Sequence, residues 1–244
     1  MANAQDIGLF ENYTSTQDLS FVDNDEMIEW SGKYFNHYIL PHLPSDKDAK
    51  ILEIGCGWGK YIKHLNDLGY TNVEGIDISP EQIEFAQKKL KLKNVSLIDG
   101  IEYLQHSKKH YDAIYMIDVL EHLDLEDSIN IGKQIYQRLN PNGVFLIQVP
   151  NGMSILNPIR YADITHTRGF SDYMCTQYMK LSGFTSVTNS PLPPMAHGLK
   201  STIRSVLWNV AVNPLLKSYM LIANGTLMGG IYTSNILSVA TKEE

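Results

Sequence analysis

Residues 50–60 read Lys-Ile-Leu-Glu-Ile-Gly-Cys-Gly-Trp-Gly-Lys, a short apolar run that passes directly into glycines at 55, 57 and 59. A hydrophobic strand ending in alternate glycines lets the chain turn tightly and lets a ligand approach backbone amides. The glycines are spaced G-x-G-x-G rather than the G-x-G-x-x-G of dinucleotide sites, and Glu53 stands two residues before the first. A pyrophosphate has no use for a carboxylate there, whereas a cationic amino-acid ligand does. Downstream, the apolar pattern alternates between strand and helix. Strands are expected at Lys50–Ile54, Asn72–Asp77, Val95–Asp99, Ala113–Ile117 and Val144–Val149. Helices are expected at Gly59–Leu68, Pro80–Leu90, 101–106 and Asp127–Leu139. Repeated β-α units of this length predict a parallel sheet covered on both faces.

Upstream, residues 1–20 read as loose and polar, and 24–43 as a helix carrying Met27, Ile28, Trp30, Phe35, Tyr38 and Ile39, ended by Pro41 and Pro44. Beyond Pro150 come a polar loop at 151–170, a helix at 172–182 stopped by Gly183, and a strand at about 184–189. An apolar stretch at 199–230 and a last strand at 231–241 follow. The 244 residues fit one α/β domain with insertions or at most two small domains, and 43% hydrophobic residues suffice for a core. Two distant cysteines, Cys56 and Cys175, exclude a disulfide scaffold and a cysteine-built zinc site, and suit a reducing cytosol. The opening Met-Ala-Asn-Ala-Gln-Asp has neither a basic nor an apolar leader region, so no secretory signal is expected.

The net charge of −7 is unevenly spread. Met1–Asp172 holds 25 acidic and 15 basic residues, whereas Tyr173–Lys242 holds no acid and five bases, Lys180, Lys200, Arg204, Lys217 and Lys242. Such asymmetry suggests an anionic partner for the C-terminal part, or a core-rich segment that lacks acids. Val206–Tyr232 is long enough to raise the question of a membrane span. Pro214, Lys217 and asparagines 209, 213 and 224 argue instead for an amphipathic insertion that packs on the domain or rests on a membrane surface.

Asp77 ends the second strand, where a carboxylate can accept hydrogen bonds from a ribose diol, and Asp99-Gly100 ends the third, placed to meet an adenine amino group. Together, Leu52-Glu-Ile-Gly-Cys-Gly-Trp-Gly59, Gly75-Ile-Asp-Ile-Ser79, Asp99 and Tyr111-Asp-Ala-Ile114 resemble a class I S-adenosylmethionine-dependent methyltransferase. The resemblance covers about residues 50–150. It implies a Rossmann-like seven-stranded sheet with the last strand antiparallel, helices on both faces and a C-terminal helical insertion. It further implies a helical extension at 1–45 and a methyltransferase domain at 46–244, with an acceptor loop at 151–171 and the apolar insertion at 191–230. The implied cofactor wall is Glu53, Gly55, Cys56, Gly57, Gly59, Asp77, Ile78, Asp99, Gly100, Ile101 and Ile117. A Rossmann dehydrogenase is the competing reading, but the glycine spacing differs and the chain has no Tyr-x-x-x-Lys pair.

After the fourth strand, Asp118, Glu121 and His122 stand at i, i+3 and i+4, which on one helical turn share a face. Two carboxylates and an imidazole at this end of a parallel sheet make a site for a divalent cation, with oxygen ligands favouring Mg²⁺ or Mn²⁺ and the imidazole admitting Zn²⁺ or Fe²⁺. Alternatively, the Glu-His pair caps or lines the pocket without metal. Asp163 and His166 in the next loop complete a pattern similar to two metal-dependent groups, the small-RNA terminal 2′-O-methyltransferases and the ubiquinone-pathway O-methyltransferases. The first implies Asp118, Glu121, His122 and His166 as ligands, with Asp118 shorter than the Glu of that family. Without metal, His122 or His166 would act as general base. Asp118, His122 and His166 are thus the catalytic candidates, and Arg160 and Arg168 could hold an anionic group of the acceptor.

Acidity and the lack of a basic aromatic stripe speak against nucleic acid as substrate. The whole-chain pattern, with a Pro-Asn…Arg-Tyr-x-Asp-x-Thr-His…Phe loop before an apolar insertion, resembles bacterial sugar O-methyltransferases of O-antigen and capsule pathways. That implies O-methylation of a sugar or glycan terminus, lipid-linked, at the inner face of the membrane. A phenol or quinone-precursor methyltransferase and a non-catalytic cofactor-binding partner protein are the other expectations.

Overall fold

The computed structural model describes residues 8–11, 13–16, 25–156 and 158–244. Seven strands form one sheet: β1 (Ile51–Ile54), β2 (Val73–Asp77), β3 (Val95–Leu97), β4 (Tyr111–Ile117), β5 (Leu139–Pro150), β6 (Val187–Pro191) and β7 (Asn235–Thr241). Their order is β3-β2-β1-β4-β5-β7-β6. The first five run parallel, and β7 is antiparallel to both β5 and β6, as the resemblance implies. All four residues of β1 are buried, as befits a central strand with helices on both faces.

The helices are α1 (Tyr13–Thr16), α2 (Asp25–Tyr38), α3 (Lys60–Asp67), α4 (Pro80–Lys88), α5 (Gly100–His106), α6 (Leu125–Arg138), α7 (Asp172–Ser182), α8 (Leu199–Leu207) and α9 (Asn213–Asn224). Local chemistry sets their ends. Pro80 opens α4, the side chains of Asp99, Asp124 and Ser171 accept backbone N–H groups at the starts of α5, α6 and α7, and Gly183 at φ 117° closes α7. One core, built on Ile54, Met116, Phe145 and Phe184 with Ile131 of α6 and Met179 of α7, fills one face of the sheet. The other, built on Ile51, Tyr115 and Leu146 with Phe35 of α2, Ile62 of α3 and Ala86 of α4, fills the opposite face.

Several expectations shift. Residues 13–16, read as loose, are helical, while 1–7, 12, 17–20 and the expected helix start at 24 lie outside the described residues. β5 begins at Leu139 rather than Val144, because Leu139 already pairs with Tyr111 and a bulge absorbs the Asn140–Gly143 turn, with Asn142 at φ 63°. β6 and β7 start three and four residues later than expected. The insertion is a nearly continuous helix, α8 and α9 joined by a π turn at Trp208–Val212, and only Ser201 within it is buried. Most of its surface is therefore left open.

Candidate active site

A cavity of about 460 Å³ opens at the carboxyl ends of β1, β2 and β4, within the usual range for a small-molecule site. Gly55, Gly57 and Gly59 all adopt left-handed φ, at 75°, 55° and 81°. A Cβ on Gly55 would lie 2.2 Å from Val119 Cγ2, so this position excludes any side chain. Gly57 N–H donates to Asp77 Oδ2 at 2.7 Å and Ser79 N–H to Asp77 Oδ1 at 2.8 Å. Asp77 thus ties the glycine loop to the end of β2 while still facing the cavity. Burial raises its carboxyl, and the bonds from Ser79, Gly57 and Ile78 work against that rise.

Of the expected cofactor wall, Glu53, Gly55, Cys56, Gly57, Asp77, Ile78, Asp99, Gly100, Ile101 and Ile117 line this cavity. Gly59 does not. It starts α3, and its space is closed by Leu92. Asp99 accepts Glu102 N–H at 2.9 Å, combining a helix cap with its place in the wall. Lys60, Trp58, Gln82, Phe10 and Tyr13 also line the cavity, beyond the expected wall. Lys60 directly follows the last glycine and had a positional signal; Phe10 and Tyr13, distant in sequence, had none.

Glu53 is buried and accepts a hydrogen bond from Tyr115 Oη at 3.2 Å. Burial pushes its carboxyl up to about 8, against the pull of Lys60 and Tyr115. Without ligand, Glu53 is then about nine-tenths protonated at pH 7. A ligand ammonium beside it would favour the carboxylate and expel the proton. S-adenosylmethionine binding near pH 7 is therefore expected to release protons, and to tighten as pH rises towards 8. Calorimetry in buffers of different ionisation enthalpy reads this directly, and Glu53→Gln should remove most of the release. Because the folded carboxyl is raised, the ligand-free fold loses stability as pH climbs from about 4.5 to about 8.

Beyond β4 the chain does not form the helical turn that the spacing implied. Asp118 sits at φ 55°, and the 3₁₀ turn begins only at Leu120. Its carboxylate opens onto the cavity, where Gln148 Nε2 donates to both oxygens at 3.0 and 3.1 Å and Tyr34 Oη in turn donates to Gln148 Oε1 at 2.6 Å. Burial raises the Asp118 carboxyl, opposed by Gln148, Lys60 and His166. Among the described residues, the group whose donor atoms lie within 4.8 Å of one another is Glu121, His122 and His166. Asp118 does not join it, because its left-handed backbone turns it away from the i, i+3, i+4 face.

The three that converge are prepared in a specific way. Thr165 Oγ1 gives its single proton to Asp163 Oδ1 at 2.6 Å, so at 2.7 Å it must accept from His122 Nδ1. His166 Nδ1 faces the carbonyls of Ile159 and Arg160 at 3.1 and 3.3 Å, and so carries its proton there. Both imidazoles are left with an unprotonated Nε2. His166 Nε2 stands 3.9 Å from Glu121 Oε1, and the two rings lie 4.7 Å apart. Glu121 is fully buried, and among the described residues neither carboxyl oxygen has a hydrogen-bond partner. Burial, reinforced by Asp118 and Asp163, pushes its carboxyl well above the usual range. Burial also lowers His122 to about 4. An orphaned buried acid with two imidazoles converging on it has the chemistry of a cation site.

Loop 151–171 is fixed to this site by its backbone. Thr167 N–H and Oγ1 donate to Glu121 O, and Arg168 Nη2 to Leu123 O at 2.9 Å. Arg160 Nη2 reaches Thr167 O at 3.1 Å. Both arginines thus brace the loop, each with further guanidinium N–H groups beyond these bonds. From the other end of the chain, Tyr13 Oη donates to Asp163 Oδ2 at 2.7 Å, and the Phe10 and Tyr13 rings stand edge-on to His122 at 5.9 and 6.2 Å. Burial would raise Asp163, but bonds from Thr165 and Tyr13 hold it below the usual carboxylate range.

Residues 29–188 match the family described as a methyltransferase domain. The fold is that of a SAM-dependent methyltransferase from Archaeoglobus fulgidus, with TM-score 0.65 at 21% identity over 88% of this chain and 94% of that one. Among curated proteins, the chain is 26% identical over 129 residues to the phosphoethanolamine N-methyltransferase of Plasmodium falciparum, covering 52% of this chain and 48% of that protein. It is 30% identical over 127 residues to the ubiquinone biosynthesis O-methyltransferase of Rickettsia canadensis, covering 50% and 51%. It is 25% identical over 150 residues to the small RNA 2′-O-methyltransferase of Tetrahymena thermophila, covering 54% and 35%. The chain thus spans about half or less of the length of these three curated relatives.

Proposed function

The chain belongs to the methyltransferase-domain family, and from that premise we propose that it is an S-adenosylmethionine-dependent O-methyltransferase acting on a sugar hydroxyl with the help of a divalent cation. The observation that carries the cation is Glu121, buried with neither oxygen partnered among the described residues, with His166 Nε2 3.9 Å from its Oε1 and a ring nitrogen of His122 within 4.8 Å. Glu121, His122 and His166 would hold the ion. One carboxylate and two imidazoles favour Mn²⁺, Fe²⁺ or Zn²⁺ over the oxygen-loving Mg²⁺ of the sequence expectation. A cation held there would supply Lewis-acid stabilisation of the negative charge that develops on an acceptor oxygen.

The chain's own groups supply the rest. The glycine loop, Asp77 and Asp99 would seat the cofactor in the 460 Å³ cavity, and Glu53 would take its ammonium. Phe10 and Tyr13 line the same cavity, and aromatic rings there would suit the C–H faces of a sugar ring. In the transfer, an acceptor oxygen lone pair forms a bond to the methyl carbon and the sulfur–carbon pair returns to the sulfonium sulfur. The hydroxyl proton passes to solvent or a nearby carboxylate. His122 as sole general base is the weaker reading, since an imidazole held at about 4 is a poor proton acceptor for a sugar hydroxyl.

The C-terminal charge pattern and the sugar resemblance together favour a glycan acceptor of surface-polysaccharide synthesis, carried on a lipid. Transfer of labelled methyl to a panel of sugars, glycan fragments, phenols and primary amines tests the acceptor. Labelling of diol-bearing sugars above the others is the expected outcome. Exclusive labelling of phenols or of amines would replace the sugar reading, and no labelling of any class would favour a non-catalytic cofactor-binding protein.

A further inference from the structure

Residues 192–234 leave the sheet from Pro191, the last residue of β6, and return at Asn235, the first of β7. Asn235 pairs with Pro150 and Pro191 pairs with Ile236, so both roots of the insertion sit at the carboxyl end of β5. Asn151 fixes that position with side-chain bonds to Ile231 O at 3.0 Å and Thr233 O at 2.7 Å. Because β5 is parallel to β1 and β4, this is the rim that carries Gly55 and Asp118. The insertion therefore emerges beside the mouth of the cavity.

Leu199–Asn224 runs 26 helical residues, about 39 Å at 1.5 Å per residue. Leu199, Ile203, Val206, Val210, Leu215 and Ile222 are all exposed, Ile222 by 85%. The first four recur at steps of four, three and four along one helical face, Leu215 and Ile222 follow seven apart beyond the π turn, and Leu207, Tyr219 and Leu221 add further exposed apolar surface. No acid occurs from Tyr173 to Lys242, and Lys200, Arg204 and Lys217 accompany the stripe. On the same rim, Leu156 and Ile164 of the acceptor loop are 88% and 94% exposed.

We propose that Leu199–Asn224 docks the protein on an anionic lipid bilayer, lying in the interface with its apolar stripe inward and holding the cavity mouth at the membrane surface. An apolar stripe with basic flanks and no acidic residue is the pattern of an interfacial helix. Pro214, Asn213 and Lys217 within it disfavour a span. The proposal rests on the topology and this helix, independently of the cation and of the acceptor.

Flotation of the full chain with vesicles of phosphatidylcholine alone, or with one-third phosphatidylglycerol, tests it. Recovery on anionic vesicles is expected, with little on neutral ones. Lys200→Glu with Arg204→Glu should weaken it by more than about tenfold, since each basic side chain near such a surface contributes about fivefold. Ile203→Asp with Val210→Asp should abolish it, with cofactor binding and circular dichroism unchanged. Equal recovery on neutral vesicles, or recovery unaffected by either pair, would overturn the proposal. So would failure to float combined with a concentration-dependent dimer that Ile203→Asp with Val210→Asp dissolves, which would make a second copy the occupant.

Discussion

Glu121→Gln is expected to lower methyl transfer by at least about 10²-fold while leaving S-adenosylmethionine affinity within about twofold. Changes even in the groups that support a metal ligand cost about 10- to 100-fold, and Glu121 is the sole anion of the converging trio. Glu121 does not line the cofactor cavity, so binding and transfer should separate. A second readout distinguishes this from damage to the fold. A buried acid whose carboxyl is raised costs the metal-free protein stability above the ordinary carboxylate range. The amide carries no such cost, so the metal-free variant should melt at or above the wild-type temperature at pH 7. Lost activity in a protein that has become no less stable marks a functional acid. A lower melting temperature together with lost cofactor binding would mark a structural one.

Gly55→Ala is expected to remove cofactor binding and to destabilise the fold by about 3 kcal/mol, combining left-handed strain with overpacking. Its φ of 75° is one that L side chains rarely adopt, and the added Cβ would meet Val119 Cγ2 at 2.2 Å. That methyl belongs to the residue after Asp118, so relief of the clash must shift both walls of the cavity. Gly57→Ala is the comparison. There the near atom is Gln82 Oε1, the end of a flexible side chain, at 2.5 Å. The backbone strain remains, but the second wall stays in place, so a smaller loss of both properties is expected. Thermal melts and cofactor titration of the two variants check the order.

Where local chemistry decides, sequence and structure coincide. The glycine loop, the Pro80 helix start and the Asp172–Ser182 helix with its Gly183 stop all follow from residues whose backbone preferences act locally, whereas the antiparallel final strand came only with the family resemblance. Periodicity misled at Asp118. The i, i+3, i+4 rule presumes helix from the first residue, and a left-handed φ breaks it before the turn begins. His166 was placed by resemblance and does reach Glu121, but through a loop whose path depends on Thr167, Arg160 and Arg168 bonding to backbone carbonyls, which no spacing rule reveals. Tyr13 and Phe10 were illegible for the same reason. Their contacts with Asp163 and His122 span more than a hundred residues, and the short helix that bears Tyr13 has no apolar period of its own.

Transfer of labelled methyl from S-adenosylmethionine to a glycan acceptor by exhaustively metal-stripped protein, titrated with Mn²⁺, tests whether Glu121, His122 and His166 hold a divalent cation that activates a sugar hydroxyl, as proposed. Stripping is expected to remove activity, Mn²⁺ to restore it with one ion per chain, and His166→Ala to show no restoration. Full activity in the stripped protein, or in His166→Ala without added metal, would contradict the proposal.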